Sequence, residues 1–449
     1  MNIVIIGAGV VGTSLAMQLS QEGHSVAIID RDFKIITKVR DTMDVLAIHG
    51  SGTLPSVLEK AGIRRAHMVI AVTTSDEVNL VAGILANGYN IQHRIVRIRN
   101  PEYAQEGGAL SLSRLGIQHV VNPEPHIVES LVRMIDLPGA YDVATLAGGQ
   151  VQMFGFHISN DSPAIGRTLA ELRELGSLNA FLILYITRQG EVIVPGGQDS
   201  IQPGDSVHLL VSSDTVEFLR PILHPSHEMT RSVVIVGASR VAVQLAAILE
   251  GRLSVTLIEA DAILAEDAAK RLRKTNVLVG DGADVALLEE AAIDHCDLFC
   301  ALSEDGHRNV LASLLAKKHG AIRTAALVFD PEYASILDSL GVDIVINPRL
   351  VVVGEILQHL RRGHIFSVTR VAEGQGEIIE MEVPEGCMAI EAPLKRLKFP
   401  KNALVGAIVS GGEMQLPTGD TQICAGDRVL LYALPQAIPK IEKLFEKRH

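Results

Sequence analysis

The chain carries an internal repeat that spans nearly all of its 449 residues. The segment Ile3–Leu19 (IVIIGAGVVGTSLAMQL) returns about halfway along as Val233–Leu249 (VVIVGASRVAVQLAAIL). Further matches follow in the same order, such as Asn122–Pro123 and Asn347–Pro348. One structural plan is therefore used twice, and this constrains the fold more than any local pattern does. It also leaves little sequence for a separate catalytic domain.

Each copy begins by alternating short apolar runs with segments of helical spacing. In the first copy the predicted strands are 3–6, 25–29, 45–48, 68–72, 94–98 and 120–121. Short, fully apolar strands that alternate with helices are typical of a parallel sheet covered on both faces. Because crossovers in such sheets are right-handed, we expect a doubly wound, Rossmann-like α/β domain in each copy.

A smaller mixed α+β unit follows each large one. Phe181–Thr187 and Glu191–Val194 flank a glycine turn and predict a hairpin, and Pro203–Gly204–Asp205 predicts a second turn. Polar, proline-containing residues 221–230 are interpreted as the linker between the halves. The sequence thus predicts four domains in the order large, small, large, small, at 1–137, 138–225, 231–360 and 361–449.

A candidate binding site lies between the first predicted strand and the first predicted helix. Six residues there fit the pattern GxGxxG: Gly7, Ala8, Gly9, Val10, Val11 and Gly12. The first glycine permits a tight turn, the second lets a pyrophosphate approach the backbone, and the third lets helix and strand pack closely. The helix N-terminus offers free N–H groups to phosphates. A turn needed only for packing is the alternative, but its placement favours nucleotide binding.

Asp30 ends the second predicted strand, about 20 residues after Gly9, where a carboxylate can accept hydrogen bonds from ribose hydroxyls. Its charge would repel a 2′-phosphate, which favours NAD or adenosine phosphates over NADP. The neighbouring Arg31 weakens that preference. The spacing of Asp30 from the glycine turn makes the nucleotide prediction more specific than the turn alone.

The ends of two further strands extend the candidate site. Thr73 and Thr74 follow the fourth predicted strand, at the edge where ligands bind in open α/β sheets. Ser75 or Asp76 is expected to cap the next helix. Arg97 interrupts an apolar strand, and two interpretations stay open: a role at a phosphate or ribose, or a place on a solvated edge with Arg99.

The second copy has diverged at the corresponding positions. Ser239 and Ala242 stand where Gly9 and Gly12 stood in the first copy. A longer carboxylate replaces Asp30, and Leu327 replaces Arg97. Side chains thus occupy positions where close backbone approach was needed. We therefore expect a degenerate second site that is empty or binds weakly.

Composition excludes several function classes. A net charge of −12 disfavours nucleic acid and anionic membranes, and 4% aromatics without Trp offer no stacking platform for single strands. No apolar stretch reaches the length of a membrane span. The N-terminus starts on a buried-strand pattern, so we expect no signal peptide and a cytoplasmic location.

We also expect no metal site and no catalytic residues, because metalloprotease, P-loop, nucleophile-elbow and kinase motifs are missing. Cys296 and Cys300 are interpreted as buried strand residues.

Taken with these residues, the segments Val72–Glu77 (VTTSDE) and Arg94–Tyr103 (RIVRIRNPEY) make the chain resemble the RCK/KTN family of Trk-system potassium uptake regulators. The resemblance covers essentially the whole chain and implies tandem RCK N-terminal and C-terminal subdomains. It further implies a cytoplasmic, peripheral subunit that assembles as a homo-oligomeric gating ring, a dimer or tetramer, on a membrane potassium transporter. It implies NAD(H) binding and, in relatives, binding of ATP or ADP, at Gly7 to Val11, Asp30, Thr73, Thr74 and Arg97.

Two classes of function follow. The first is a non-enzymatic regulatory subunit, in which nucleotide occupancy biases a coupled transporter. The second is an NAD-dependent oxidoreductase, which needs a second domain with an acid–base group beside the nicotinamide. No such constellation is evident, since a small unit follows and the pattern then restarts. A regulator of another cation channel or antiporter is a further alternative.

Overall fold

The computed structural model describes residues 1–103, 112–137, 139–175, 181–212, 229–329, 336–337, 340–358, 364–371 and 375–447. The chain forms two compact units. The first comprises Met1–Glu124 and Val351–Ile356, and the second comprises Pro125–Leu350 and Leu357–His449.

The first unit is built on a parallel sheet. Its strands are β1 (Asn2–Ile6), β2 (Ser25–Asp30), β3 (Leu46–His49), β4 (Met68–Ala71), β5 (His93–Arg97) and β6 (His119–Val121). Its helices are α1 (Val10–Gln21), α2 (Phe33–Thr42), α3 (Pro55–Lys60) and α4 (Asp76–Gly88). The strand order is β3-β2-β1-β4-β5-β6, so the winding reverses between β1 and β4. That reversal opens a crevice beyond the carboxyl ends of these two strands.

The first small domain starts the second unit with antiparallel pairing. Its elements are α5 (Pro123–Asp136), β7 (Ala140–Leu146), β8 (Val151–His157), α6 (Leu169–Leu175), β9 (Phe181–Arg188), β10 (Glu191–Ile193) and β11 (Ser206–Ser212). The sheet order is β10-β9-β11-β8-β7. The predicted hairpin is confirmed: β9 pairs with β10 across Gln189 and Gly190, whose φ values of 51° and 83° suit a two-residue turn.

The second large domain repeats the topology of the first. Its strands are β12 (Ser232–Val236), β13 (Ser254–Glu259), β14 (Asn276–Val279), β15 (Leu298–Ala301), β16 (Arg323–Leu327) and β17 (Ile344–Ile346). Its helices are α7 (Arg240–Leu249), α8 (Ala262–Arg271), α9 (Val285–Glu290) and α10 (Gly306–Lys318). Helix α11 (Pro348–Gln358) follows β17, and its residues Val351–Ile356 belong to the first unit. The order β14-β13-β12-β15-β16-β17 reproduces the first sheet strand for strand.

The second small domain repeats the antiparallel sheet of the first. Its elements are β18 (His364–Val371), β19 (Gly376–Glu382), β20 (Ala403–Ser410), β21 (Glu413–Gln415), β22 (Arg428–Ala433) and α12 (Ile438–Phe445). The order is β18-β19-β22-β20-β21. The predicted fold class, two Rossmann-like sheets each followed by a small α+β domain, is confirmed. The predicted linker at 221–230 lies mostly outside the described residues.

Apolar packing explains these arrangements. Every residue of β4 and of β15 is buried, because helices cover both faces of each parallel sheet. Helix α5 buries Leu131 and Ile135 in a core that it shares with β12 and β16, so α5 belongs with the second unit. The two small sheets share another core, where the rings of Tyr185 and Tyr432 stack with centroids 4.9 Å apart.

Candidate functional site

The glycine turn after β1 has a geometry that two of its glycines make possible. Gly7 has a φ of +104°, and a Cβ there would lie 3.0 Å from the backbone nitrogen of Thr73. A Cβ on Gly12 would lie 1.8 Å from the carbonyl oxygen of Gly7. A side chain at either position would therefore force β1, β4 and α1 apart. These contacts bring Gly7, Gly12 and Thr73 to one place at the carboxyl edge of the sheet.

Gly9 differs from these two glycines because it faces open space. A Cβ on Gly9 would meet no atom within 4 Å among the described residues. Gly9 is the N-cap of α1, and it supplies no side-chain hydrogen bond to the first turn of the helix. The first-turn N–H groups of Val10, Val11 and Gly12 thus lie beside free space at the positive end of a helix. This is a cradle that fits a phosphate or diphosphate.

Asp30 lies directly beside this cradle. One carboxylate oxygen, Oδ2, accepts a hydrogen bond of 2.7 Å from the backbone N–H of Ala8, and Oδ1 accepts one of 2.8 Å from that of Asp32. The carboxylate therefore ties the glycine turn to the start of α2. Each oxygen keeps a second lone pair, so Asp30 can also accept hydrogen bonds from a ribose.

Asn79 is a site residue that sequence reasoning missed. It is fully buried on α4, and its Oδ1 accepts hydrogen bonds from the backbone N–H of Thr73 at 2.9 Å and from its hydroxyl at 2.8 Å. Its Nδ2 donates to the carbonyl oxygens of Thr73 and Arg97, at 3.2 and 2.9 Å. One amide thus joins the ends of β4 and β5. The signal was an asparagine on an otherwise apolar helical face, repeated in the second copy as Asn309.

Arg97 is half-buried rather than on a solvated edge, so that interpretation was wrong. Its Nε is buried without a hydrogen-bond partner among the described residues. Burial lowers the pKa of the guanidinium, and the nearby charge of Arg99 lowers it further, against the opposing effect of Asp76 and Glu124. A half-buried guanidinium with a buried, unused Nε–H donor at the end of β5 fits an anionic or hydroxyl ligand group.

Arg99 and the start of α4 shape the rim of the cleft. Arg99 donates from Nη2 to the carbonyl oxygen of Thr74 at 2.9 Å, which ties the exposed Thr74 to the end of β5. Ser75 is the N-cap of α4 and accepts from the N–H of Val78. Capping by Asp76 was therefore wrong: its Oδ2 accepts from the N–H groups of Arg99 and the next residue, at 3.0 and 2.8 Å.

The second copy keeps the framework of this site but fills its cradle. The Oε2 of Glu259 accepts from the N–H of Ala238 at 2.5 Å, as Asp30 does for Ala8 in the first copy. The Ser239 hydroxyl accepts from the first-turn N–H of Ala242 and donates to the carbonyl oxygen of Leu302, the residue that follows β15. In the second copy the Ser239 hydroxyl therefore binds the N–H of Ala242, whereas the equivalent N–H of Gly12 in the first copy has no side-chain cap.

An ion pair also spans the second crevice. Arg308 on α10 lies 3.0 Å from Asp281, in the loop after β14. Val78 and Ser51 hold the corresponding positions in the first copy, where such a pair cannot form. The two crevices therefore share a backbone plan and differ in the side chains that face a ligand.

The described residues contain no group of three or more His, Cys, Asp or Glu side chains that could hold a metal ion. Cys300 is buried within β15, but the buried Cys296 lies two residues before that strand, directly after a 3₁₀ turn (Ile293–His295), so its interpretation as a strand residue was wrong. Burial raises the pKa of the Cys296 thiol to about 12. Burial raises the pKa of Cys300 as well. No helix in the described part of the chain is long and apolar enough to span a membrane.

Comparison with known families gives matches along both halves. The TrkA-N domain model matches residues 3–123 and 233–348, and the TrkA-C domain model matches 153–224 and 378–446. A Trk system potassium uptake protein TrkA from Azorhizobium caulinodans is 35% identical over 451 residues, covering 99% of this chain and 98% of that protein. A TrkA homolog from Archaeoglobus fulgidus is 35% identical over 446 residues, covering 99% and 100%.

Solved structures share the fold. The GsuK channel bound to NAD has a TM-score of 0.60 at 17% identity, covering 99% of this chain and 78% of that one. The GsuK RCK domain has a TM-score of 0.61 at 18% identity, covering 99% and 94%. The predicted alternation of RCK N-terminal and C-terminal domains along the chain is thereby confirmed at the level of fold.

Proposed function

This chain belongs to the Trk system potassium uptake protein family, and we propose that it is a nucleotide-binding regulatory subunit of a membrane potassium transporter. The ligand is NAD(H) or an adenosine phosphate, bound in the first crevice. One observation carries the proposal: the free first-turn amides of α1 open onto unfilled space at Gly9, beside the carboxylate of Asp30. The related structure of a channel bound to NAD supports the choice of ligand class.

Each residue of the crevice has a part in binding. The amides of Val10, Val11 and Gly12 donate to the diphosphate, Asp30 accepts from a ribose, and the half-buried Arg97 guanidinium neutralises negative charge. A bound dinucleotide supplies charge and ordering here rather than a hydride, in keeping with the TrkA-N and TrkA-C domain models that match both halves of the chain. We therefore place the chain among regulators and not among oxidoreductases.

Regulation requires that the nucleotide bind two arrangements of the protein with different affinity. An affinity ratio of about tenfold between the arrangements corresponds to ~1.4 kcal/mol of bias on a coupled transporter. We propose that the chain acts as a homo-oligomeric ring at the cytoplasmic face of the membrane. Reconstituted potassium flux through the transporter, with and without the subunit and NADH, measures that bias. A potassium flux that changes neither with the subunit nor with NADH contradicts the regulatory proposal.

Binding in the first crevice is tested with Gly9→Ser. The backbone at Gly9, with φ −63° and ψ −174°, suits serine, and its Cβ meets nothing, so the variant should fold normally. Its hydroxyl should cap the first-turn amides as Ser239 does in the second copy. We expect loss of the thermal shifts given by NADH, NAD, ATP and ADP, which follow ligand occupancy. Ser239→Gly is the matched control, and unchanged shifts in Gly9→Ser would reject the assignment.

We further propose that the second crevice is vacant in the working protein, so that each chain binds one nucleotide. The Ser239 hydroxyl accepts from the first-turn N–H that a diphosphate needs, and the ion pair of Asp281 with Arg308 occupies part of the crevice. Equilibrium titration should give one site per chain in the wild type and none in Gly9→Ser. Two sites in the wild type, or one remaining in Gly9→Ser, would contradict this proposal.

The oxidoreductase alternative has a direct test. Absorbance at the nicotinamide band should stay constant when the chain is mixed with NADH or NAD and a panel of carbonyl and hydroxyl compounds. A steady turnover that disappears in Gly9→Ser would show catalysis at the same crevice and overturn the non-enzymatic assignment.

A further inference from the structure

Two exposed aromatic rings lie beside Asp30, the carboxylate proposed to bind a ribose in the first crevice. Phe33 is the first residue of α2 and is 61% exposed. His49 is the last residue of β3 and is also exposed. The ring centroids lie 5.5 Å apart at 88°, so the imidazole and the phenyl ring meet edge to face. Together they form a corner that stays exposed among the described residues of this unit.

Backbone contacts hold both rings in place relative to Asp30. Asp30 is paired in register with His49 between β2 and β3. The imidazole Nε2 donates to the carbonyl oxygen of Arg31 at 3.0 Å, which fixes the ring orientation. The carboxylate of Asp32 caps α2 by accepting from the N–H of Lys34 at 2.8 Å, and this fixes the helix start that carries Phe33. A ribose on Asp30 would therefore have its base next to two oriented rings.

Single exposed apolar side chains are ordinary on protein surfaces, so exposure of Phe33 alone decides nothing. The comparison between the two copies adds an independent observation. Ala262 and Val279 hold the positions of Phe33 and His49 in the second copy. Both aromatic rings are thus present where the phosphate cradle is open and are replaced where Ser239 fills it.

We propose that Phe33 and His49 form the base-binding platform of the first crevice and select a purine. The phenyl face stacks on the adenine, and the imidazole supports the phenyl ring from its edge. The proposal rests on nucleotide binding at this crevice and names the part of the ligand that these residues recognise. A purine offers a larger stacking face than a pyrimidine, so the platform favours ADP over UDP although both carry the same ribose and diphosphate.

Competition against NADH on the full chain tests the platform. Phe33→Ala should weaken ADP about tenfold, the usual scale of one base–aromatic stack, and should weaken UDP less. Phe33→Trp should restore ADP binding, because it keeps a stacking face. Ile263→Ala, at a 78% exposed apolar residue near the corresponding helix start in the second copy, is the matched control and should change neither affinity. His49→Ala should reduce the ADP preference by a smaller factor than Phe33→Ala.

The outcomes separate this proposal from the one on which it rests. Loss of all nucleotide binding in Gly9→Ser with no effect of Phe33→Ala would overturn the platform and leave the crevice assignment intact. Equal weakening of ADP and UDP in Phe33→Ala would also overturn it, because the residue would then act on the phosphate cradle. Absence of nucleotide binding in the wild type would remove both proposals together.

Discussion

Replacing Asn79 with leucine should destabilise the ends of β4 and β5 that line the nucleotide crevice, although Asn79 itself is buried and is assigned no ligand contact. Asn79 is fully buried and makes four hydrogen bonds, three to Thr73 and one to Arg97. Leucine has the same branched shape and the same number of side-chain heavy atoms, and it cannot replace any of them. The hydroxyl of Thr73 keeps a second partner, the carbonyl oxygen of Ser75 at 3.1 Å. Three backbone groups, one N–H and two C=O, are left without their side-chain partner.

The size of the effect follows from these three groups. An unsatisfied buried backbone group costs about 1–3 kcal/mol, and burial of the new apolar side chain offsets part of the total. We expect local opening of β4 and β5 to become easier by about 3 kcal/mol, which corresponds to roughly 100-fold faster amide exchange. If about half of this destabilisation also weakens the bound state of the crevice, nucleotide affinity falls about tenfold.

The second copy provides a matched control for this measurement. Asn309 makes the same four bonds, to Ser303 at 3.0, 2.6 and 2.9 Å and to Leu327 at 2.8 Å. Hydrogen–deuterium exchange read by mass spectrometry should show faster exchange at 68–73 in Asn79→Leu and at 298–303 in Asn309→Leu. Titration with NADH should show weaker binding in Asn79→Leu alone.

Two results would refute this reasoning. Unchanged exchange in Asn79→Leu would mean that water or backbone movement satisfies the three groups at no cost. Equal loss of NADH affinity in both variants would mean that the crevices are not independent and that the first is not the nucleotide site.

Three further predictions concern the second unit. Tyr185→Ala removes a fully buried ring stacked on Tyr432 and should lower stability to urea by about 3–5 kcal/mol. Arg188→Met leaves the buried carboxylate of Asp205 without its paired bonds of 2.8 Å from Nε and Nη2, and should cost about 3–5 kcal/mol in the same assay. Hydrogen bonds to its carboxylate, above all one from the N–H of residue 274, lower the pKa of Glu250 in the folded protein. The ionised carboxylate therefore stabilises the fold fully above the unfolded pKa of about 4.3. This stabilisation is lost as the pH falls through the lower folded pKa. Glu250→Gln should therefore reduce the melting temperature at neutral pH and flatten its fall between about pH 5 and pH 3.

Each of these has a contrary outcome. Equal urea midpoints for Tyr185→Ala and wild type would show that the small sheets do not depend on the stacked rings. A stable Arg188→Met would show that Asp205 is satisfied by its bond from the N–H of Gln202 alone. A melting curve for Glu250→Gln that keeps the acid-dependent fall of the wild type would assign that fall to other carboxylates.

The sequence alone determined the repeated architecture and the main parts of the crevice. Alternation of apolar runs and helical segments is a local property, so the six strands of the first large domain were predicted to within about two residues. Gly7 and Gly12 were identifiable because only a residue without a side chain tolerates their surroundings. Asp30 followed from its spacing. The family followed from the order of these motifs along the chain.

Only the tertiary structure decided which polar groups meet. Asn79 joins the ends of two strands that lie far apart in the sequence, and no local pattern records which carbonyl its amide will reach. The same holds for Asp76, which binds the backbone after β5 instead of capping its own helix, and for the meeting of Phe33 with His49 across neighbouring elements. Apolar periodicity is written residue by residue along a chain, whereas a hydrogen-bond partner or a ring contact depends on the register and winding of a sheet, which exist only once distant segments have packed.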